Sequence, residues 1–247
     1  MKVKMAGLWL GALLALGAAD AQPQRGWGRG TIESPKMFNL ELKLGTYKPL
    51  IDREAALNGA KPYEETFGGA PMLLGELEID RQLWQQVGTL AVGFSFGYAE
   101  KYARATVVDD TGTITESAER TGFFVLPLRL LAVYRFDYAA LHWGIPLVPY
   151  AKLALAYTPW WATKGSGVEY ANGTRGAGGK WGYAFTGGIS FLLDVLEPRL
   201  AKDFDTDMGV NHTYLFAEYV YEDVNNFGAA GLDLSSRRLA FGISFEF

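Results

Sequence analysis

The sequence predicts an all-β protein: an eight-stranded antiparallel transmembrane β-barrel with up-and-down meander topology. Three observations carry this. Large apolar residues recur at every second position in eight separate segments. The positions between them are small or charged rather than bulky. Long Gly/Asn/Asp/Thr-rich stretches alternate with shorter links, the pattern of a barrel with long loops outside the cell and short turns on the periplasmic side.

Composition agrees. Among 247 residues there are 30 glycines and 13 tyrosines, which favours β structure with turns over a helical bundle. A mean hydropathy near zero excludes a multi-helix membrane protein, which needs several apolar runs of about 20 residues. A net charge of -4 without a basic stripe excludes nucleic acid as a partner. The absence of cysteine excludes a disulfide framework and thiolate-bound metals.

Residues 1–21 read as a cleaved signal peptide of the general secretory (Sec) type. Lys2 and Lys4 precede an apolar run over 5–16, and Ala19-Asp20-Ala21 supplies a small-x-small cleavage site. The run is too short to cross about 30 Å of hydrocarbon as a helix. Residues 22–36, rich in Gly, Arg and Pro, read as a flexible leader, and 37–247 as the barrel.

The eight segments follow in order. Phe38, Leu40, Leu42 and Leu44 alternate with Asn39, Glu41, Lys43 and Gly45; Leu73, Gly75, Leu77 and Ile79 with Leu74, Glu76, Glu78 and Asp80. Leu90 to Tyr98 alternates with Ala91, Gly93, Ser95, Gly97 and Ala99. The fourth sets Leu126, Leu128, Leu130 and Tyr134 opposite Arg129 and Arg135; the fifth sets Leu153, Leu155 and Tyr157 against Lys152 and Thr158. The sixth runs over 181–191, and the seventh sets Leu215, Ala217, Tyr219 and Tyr221 against Tyr214, Phe216 and Glu218. The eighth, from Arg237 onward, alternates Leu239, Phe241, Ile243, Phe245 and Phe247 with Ala240, Gly242, Ser244 and Glu246. A short helix is expected near residues 197–204, in one periplasmic connection, and shorter links at 81–87 and 137–146. Pro127 and Pro149 sit awkwardly in a closed sheet and are expected at strand starts or bulges.

Period two alone does not say which face meets lipid. The strand charges decide it, because they all fall on the small-residue face, and Arg or Lys facing lipid costs roughly 2–4 kcal/mol at the midplane. That face therefore points inward, where an eight-stranded barrel has just enough room for side chains. Glu41, Lys43, Glu76, Glu78, Arg129, Lys152, Glu218 and Arg238 are expected to form an interior charge network that plugs the lumen. Tyr47, Tyr98, Trp160, Trp161, Trp181 and Tyr221, at strand ends, are expected in the interfacial girdles. The eighth strand must pair with the first, since a membrane sheet cannot keep an open edge.

The segments "LPLRLLAVYRFD" (126–137), "GIPLVPYAKLALAY" (144–157) and "GVNHTYLFAEY" (209–219), with the terminal phenylalanine, resemble the eight-stranded outer-membrane barrel family of myxobacteria and related Gram-negative bacteria. The resemblance covers most of the mature chain and implies fold and outer-membrane location, but no activity. The last strand (Leu239, Phe241, Ile243, Phe245, Phe247) resembles the C-terminal signal read by outer-membrane assembly machinery.

Chemistry-bearing motifs are sparse. Lipid-modifying and proteolytic barrels use histidine near the outer surface, whereas His142 and His212 map to periplasmic connections and read as locally bonded. Asp203, Asp205 and Asp207 resemble the start of a calcium loop, but Met208 stands where glycine is required and Tyr214 where the closing glutamate belongs; a solvated turn is expected. "GTRGAGGKW" (173–181) has the wrong spacing for a phosphate loop, and Asn172-Gly173-Thr174 and Asn211-His212-Thr213 match glycosylation sequons. No catalytic residue, cofactor or metal site is therefore expected. The expected protein is a non-enzymatic, integral outer-membrane barrel with a structural or surface-interaction role: membrane integrity, adhesion or ligand contact through its loops. A narrow pore for small solutes or ions and a lipid-modifying enzyme are the alternatives. The expected partners are outer-membrane lipid and lipopolysaccharide, with periplasmic chaperones and the assembly machinery during biogenesis; the expected state is a monomer.

Overall fold

Alternating side chains favour extended backbone, and in a computed structural model they close a single sheet. The structure describes residues 36–108, 114–165, 167–168, 170–171, 174–229 and 231–247. The signal peptide expected at 1–21 and the leader up to residue 35 lie outside the described residues.

The barrel strands are β1 (Phe38–Tyr47), β2 (Met72–Gln86), β3 (Gly88–Val108), β4 (Ile114–Val125, resumed as Leu128–Arg135), β5 (Leu147–Lys164), β6 (Ala177–Leu192), β7 (His212–Asp223) and β8 (Ser236–Glu246). Each pairs antiparallel with the next, and β8 returns to β1. At that seam Leu40 stands opposite Phe245, Leu42 opposite Ile243 and Leu44 opposite Phe241. Phe38 N donates to Phe247 O (3.0 Å) and Phe247 N donates back to Phe38 O (2.8 Å). The closed eight-stranded meander is the architecture its alternation predicts, and closure removes the open edges from the barrel wall.

Proline marks where the ladder yields. β4 breaks at Leu126-Pro127; there Leu126 N donates to Pro159 O (2.9 Å) and Gly97 N to Pro127 O (2.8 Å), so two prolines share one irregularity. Pro149 lies past the end of β4, where its carbonyl accepts from Phe136 N (2.9 Å), so its missing donor falls at the rim.

Three expectations about connections change. The link expected at 81–87 is strand almost throughout: β2 runs to Gln86 and turns through Val87 into Gly88, whose φ of 94° suits glycine. Strand continues because Arg81, Gln82 and Gln85 keep the alternation, with one bulge between Gln82 and Trp84. Helix is also more extensive than expected: α1 (Pro62–Phe67) lies between β1 and β2, α2 (Tyr138–Trp143) between β4 and β5, and α3 (Pro198–Met208) between β6 and β7. The stretch with Asp203, Asp205 and Asp207 is the end of α3 rather than a turn; Pro198 at its start and Gly209 in the left-handed region beyond it bound the helix.

The connections at 48–71, 165–176 and 224–235 leave one end of the barrel, and the backbone of β3 and β4 runs on as a ribbon at that end. The other end carries the turn at Val87, α2, α3 and the Phe38–Phe247 seam. Leu44, Leu153 and Phe241, on outward positions of β1, β5 and β8, are 61%, 62% and 58% exposed.

Candidate functional site in the barrel interior

Because side chains of a strand alternate faces, one inward residue in every pair enters a lumen that eight strands make only side-chain wide. Small partners make room: a Cβ on Gly93 would lie 1.9 Å from Asp80 Oδ1, and one on Gly188 would lie 2.4 Å from the Tyr150 ring. The charged side chains then stack in layers, named here from the long-loop end downward.

In the upper layer Arg129 (β4) bridges β2 and β7. It donates to Glu76 and, through Nε and Nη2, to both oxygens of Glu222 at 3.2 Å each. Arg238 (β8) completes the layer, 2.5 Å from Glu222 Oε2 and 3.5 Å from Glu76 Oε2.

In the central layer Lys43 Nζ is 2.6 Å from Glu78 Oε2, 3.1 Å from Glu41 Oε2 and 3.2 Å from Glu218 Oε1. Lys152 Nζ is 2.5 Å from Glu78 Oε1 and 2.6 Å from Glu41 Oε2. Tyr150 OH donates to Glu218 Oε2 at 3.0 Å, and Asn39 Nδ2 donates to Glu41 Oε1 at 3.0 Å and to Asp80 Oδ2 at 3.4 Å.

In the lower layer Glu246 accepts from Gln82 Nε2 at 2.6 Å and faces Lys36 Nζ at 3.7 Å. The Arg135 guanidinium lies 4.8 Å from the centre of the Tyr214 ring. At the rim Thr89 Oγ1 donates to Asp137 Oδ2 at 2.6 Å. Burial and the Glu246 charge nearby raise the Asp137 carboxyl above the usual carboxylate range.

All eight residues of the expected network (Glu41, Lys43, Glu76, Glu78, Arg129, Lys152, Glu218, Arg238) lie in the upper and central layers, buried. Asp80, Arg135, Tyr150, Glu222 and Glu246 join them. Glu222 is the second continuation of the 214, 216, 218 parity and lies in β7, although the Asn/Gly-rich stretch that follows it reads as a loop.

Above the charges an apolar cap fills the mouth: Tyr47, Met72, Leu74, Phe123 and Val125 from the staves, Ile51 and Tyr63 from the connection after β1, and Val224 and Leu234 from the connection after β7. Tyr47 and Trp160 are therefore interior residues rather than girdle residues. Tyr47 OH donates to Leu234 O at 2.6 Å, and Trp160 packs on the Phe123 ring at 6.1 Å. Inward parity continues past Gly45 to Tyr47, so the strand end keeps its face. Asp52 holds this connection over the mouth by accepting from Tyr63 N (2.8 Å) and Glu64 N (3.0 Å). Burial, with Asp52 beside it, pushes the Tyr63 phenol up to about 12. Outside, Tyr102, Phe124 and Trp161 form an aromatic stack at this end, with Phe124 and Trp161 parallel at 5.2 Å.

Of the histidines, only His212 adjoins this network, as the cross-strand partner of Glu246. His142 is exposed on α2, stacked on Tyr138 at 4.0 Å. His212 opens β7, buried, with Nδ1 2.5 Å from Asp194 Oδ2. Both lie at the short-connection end.

No protein-family model matches the chain, and no curated protein matches it. Among solved structures the chain is similar to the outer membrane protein OprG from Pseudomonas aeruginosa, with 14% identity, 86% of this chain and 96% of that one covered, and a TM-score of 0.44. It is similar to the attachment invasion locus protein Ail of Yersinia pestis in complex with the heparin analogue sucrose octasulfate, with 12% identity, 86% and 97% covered, and a TM-score of 0.43. It is also similar to Neisserial surface protein A, with 13% identity, 88% and 100% covered, and a TM-score of 0.42. Barrel closure rests on the strand registers of this chain itself.

Proposed function

We propose that this chain is an integral outer-membrane barrel whose sealed interior makes it a rigid support for surface loops rather than a conduit or an enzyme. The observation that carries the reading is the filling of the lumen. Lys152 of β5 and Lys43 of β1 share carboxylates of β1, β2 and β7 across the interior, beneath an apolar cap. A barrel blocked twice has no route for solute. The outward face supports membrane residence: it carries Leu42, Phe94, Leu130, Leu153 and Phe241 where a soluble protein would place charge. An outer membrane fits a strand-built span, and the Phe38–Phe247 seam then lies on the periplasmic side with the short connections. Outer-membrane lipid contacts the apolar face, and the long connections contact whatever ligand or surface the protein meets; the monomer suffices. The resemblance to the myxobacterial barrel group rests on the three segments quoted above. The C-terminal alternation from Leu239 to Phe247 serves as the signal for assembly.

The test is planar-bilayer recording of the purified, refolded protein, paired with protease accessibility of the long connections on intact cells. The expected results are no open-channel steps and surface cleavage at 48–71. Steady steps would replace this reading with a narrow pore. A lipid conversion lost in His142→Ala or His212→Ala would replace it with an enzyme.

A further inference from the structure

We infer that the central layer of the barrel holds one hard divalent cation of the calcium class, bound by Glu41, Glu78 and Asp80. The inference concerns the interior alone and does not depend on what the loops contact.

Three observations converge. One oxygen from each of these three buried carboxyl groups lies within 4.8 Å of the other two. Oxygens that close can share one cation with bonds of roughly 2.3–2.6 Å, and calcium, which accepts irregular sets of oxygen ligands, suits an uneven buried cluster better than magnesium, which demands a near-ideal octahedron.

The second observation is charge. The upper layer is balanced, with Arg129 and Arg238 against Glu76 and Glu222. The lower layer sets Arg135 and Lys36 against Glu246 and, once it is ionised, Asp137. The central layer holds four carboxyl groups, Glu41, Glu78, Asp80 and Glu218, against only Lys43 and Lys152. Two negative charges left over in a dry interior carry a steep desolvation cost, and one divalent cation cancels both.

The third observation is unpartnered oxygen. Among the described residues Asp80 Oδ1, Asn39 Oδ1 and Ser95 Oγ are buried without a hydrogen-bond partner. All three belong to this layer. Asn39 already touches Glu41 and Asp80 through its amide nitrogen, and Ser95 is the cross-strand partner of Glu78 on the same inward face. Lys43 and Lys152 lie on both oxygens of Glu78 and on Glu41 Oε2, so a cation would share those oxygens with the lysines, while Asp80 Oδ1 is the carboxylate oxygen with no partner of its own. Gly93 clears the space beside it, since a Cβ there would strike Asp80 Oδ1.

The mature protein is folded into vesicles with CaCl2, with MgCl2 or with EDTA, then desalted; retained metal is measured by elemental analysis and the unfolding midpoint by gel mobility. The expected result is one calcium per chain, little magnesium, and a higher midpoint in calcium than in EDTA. Asp80→Asn should lose both the retained calcium and the calcium-dependent shift, while Glu222→Gln in the upper layer keeps them. Gly93→Ala, which presses on Asp80 without removing its charge, should lower calcium retention. Wild type that retains no metal overturns the inference, and an infrared band of a protonated carboxyl that vanishes in Asp80→Asn would show a proton doing the work instead. Calcium retained equally by Asp80→Asn overturns it too, placing the metal elsewhere.

Discussion

Lys152 and Glu78 are 74 positions apart in the chain, yet Lys152 Nζ lies 2.5 Å from Glu78 Oε1. β5 and β2 are not neighbours, so this contact crosses the lumen and ties two sides of the barrel together. Breaking a buried pair by removing one partner leaves a charge without compensation, at about 3–5 kcal/mol. Lys152→Met should lower unfolding free energy in vesicles by that order, measured by urea titration. Adding Glu78→Gln should restore part of the loss; strict additivity of the two changes would show that they do not interact.

The lipid face carries a separate expectation. Phe94 sits mid-strand on β3 with Ile79 and Leu130 as outward neighbours. Phe94→Arg should cost roughly 2–4 kcal/mol if that level is the bilayer midplane. Refolding yield into vesicles should fall. Unchanged yield would place Phe94 outside the hydrocarbon.

Gly188 lets the Tyr150 ring lie against its backbone on the neighbouring strand, and Tyr150 there donates to Glu218. Gly188→Val should displace the ring and strip Glu218 of that donor. Loss of stability by about 1–3 kcal/mol is expected, from overpacking and the lost bond together. Tyr150→Phe, which removes only the hydroxyl, should cost less.

Asp137 supplies the pH dependence. Its carboxyl titrates above the usual carboxylate range, because burial and Glu246 disfavour its charge more than Thr89, Arg135 and Lys36 favour it. Folding therefore favours the protonated acid. The resulting penalty is absent below the unfolded pKa, grows as pH rises from there toward the folded one, and is complete above it. Asp137→Asn should stabilise the barrel at neutral pH and leave it unchanged in acid. A variant destabilised at neutral pH would show that the Thr89 bond to the ionised form dominates.

Assembly is testable apart from stability. Phe247→Ser should slow outer-membrane insertion in cells while the refolded barrel keeps its unfolding midpoint, because the seam there is held by backbone bonds to Phe38. Equal insertion rates would remove the last residue from the assembly signal.

What the sequence determined by itself was parity. Because successive strand side chains point to opposite faces, a local pattern such as Leu239, Phe241 and Ile243 against Ala240, Gly242 and Ser244 is enough to assign the lipid and interior faces, count the strands and require the β1–β8 seam. It did not assign ends well: alternation ran on through Gln86 and to Glu222, where loop-forming composition suggested a stop, and at the strand end Tyr47 kept the inward face instead of joining a girdle. The tertiary structure alone decided which inward residues meet. Glu78 reaches Lys152 and Lys43, and Arg129 reaches Glu222, because closure and its stagger set the relative height of strands far apart in the chain. The same closure put four central carboxyl groups around two lysines. Parity is written every two residues, while height depends on the whole circumference.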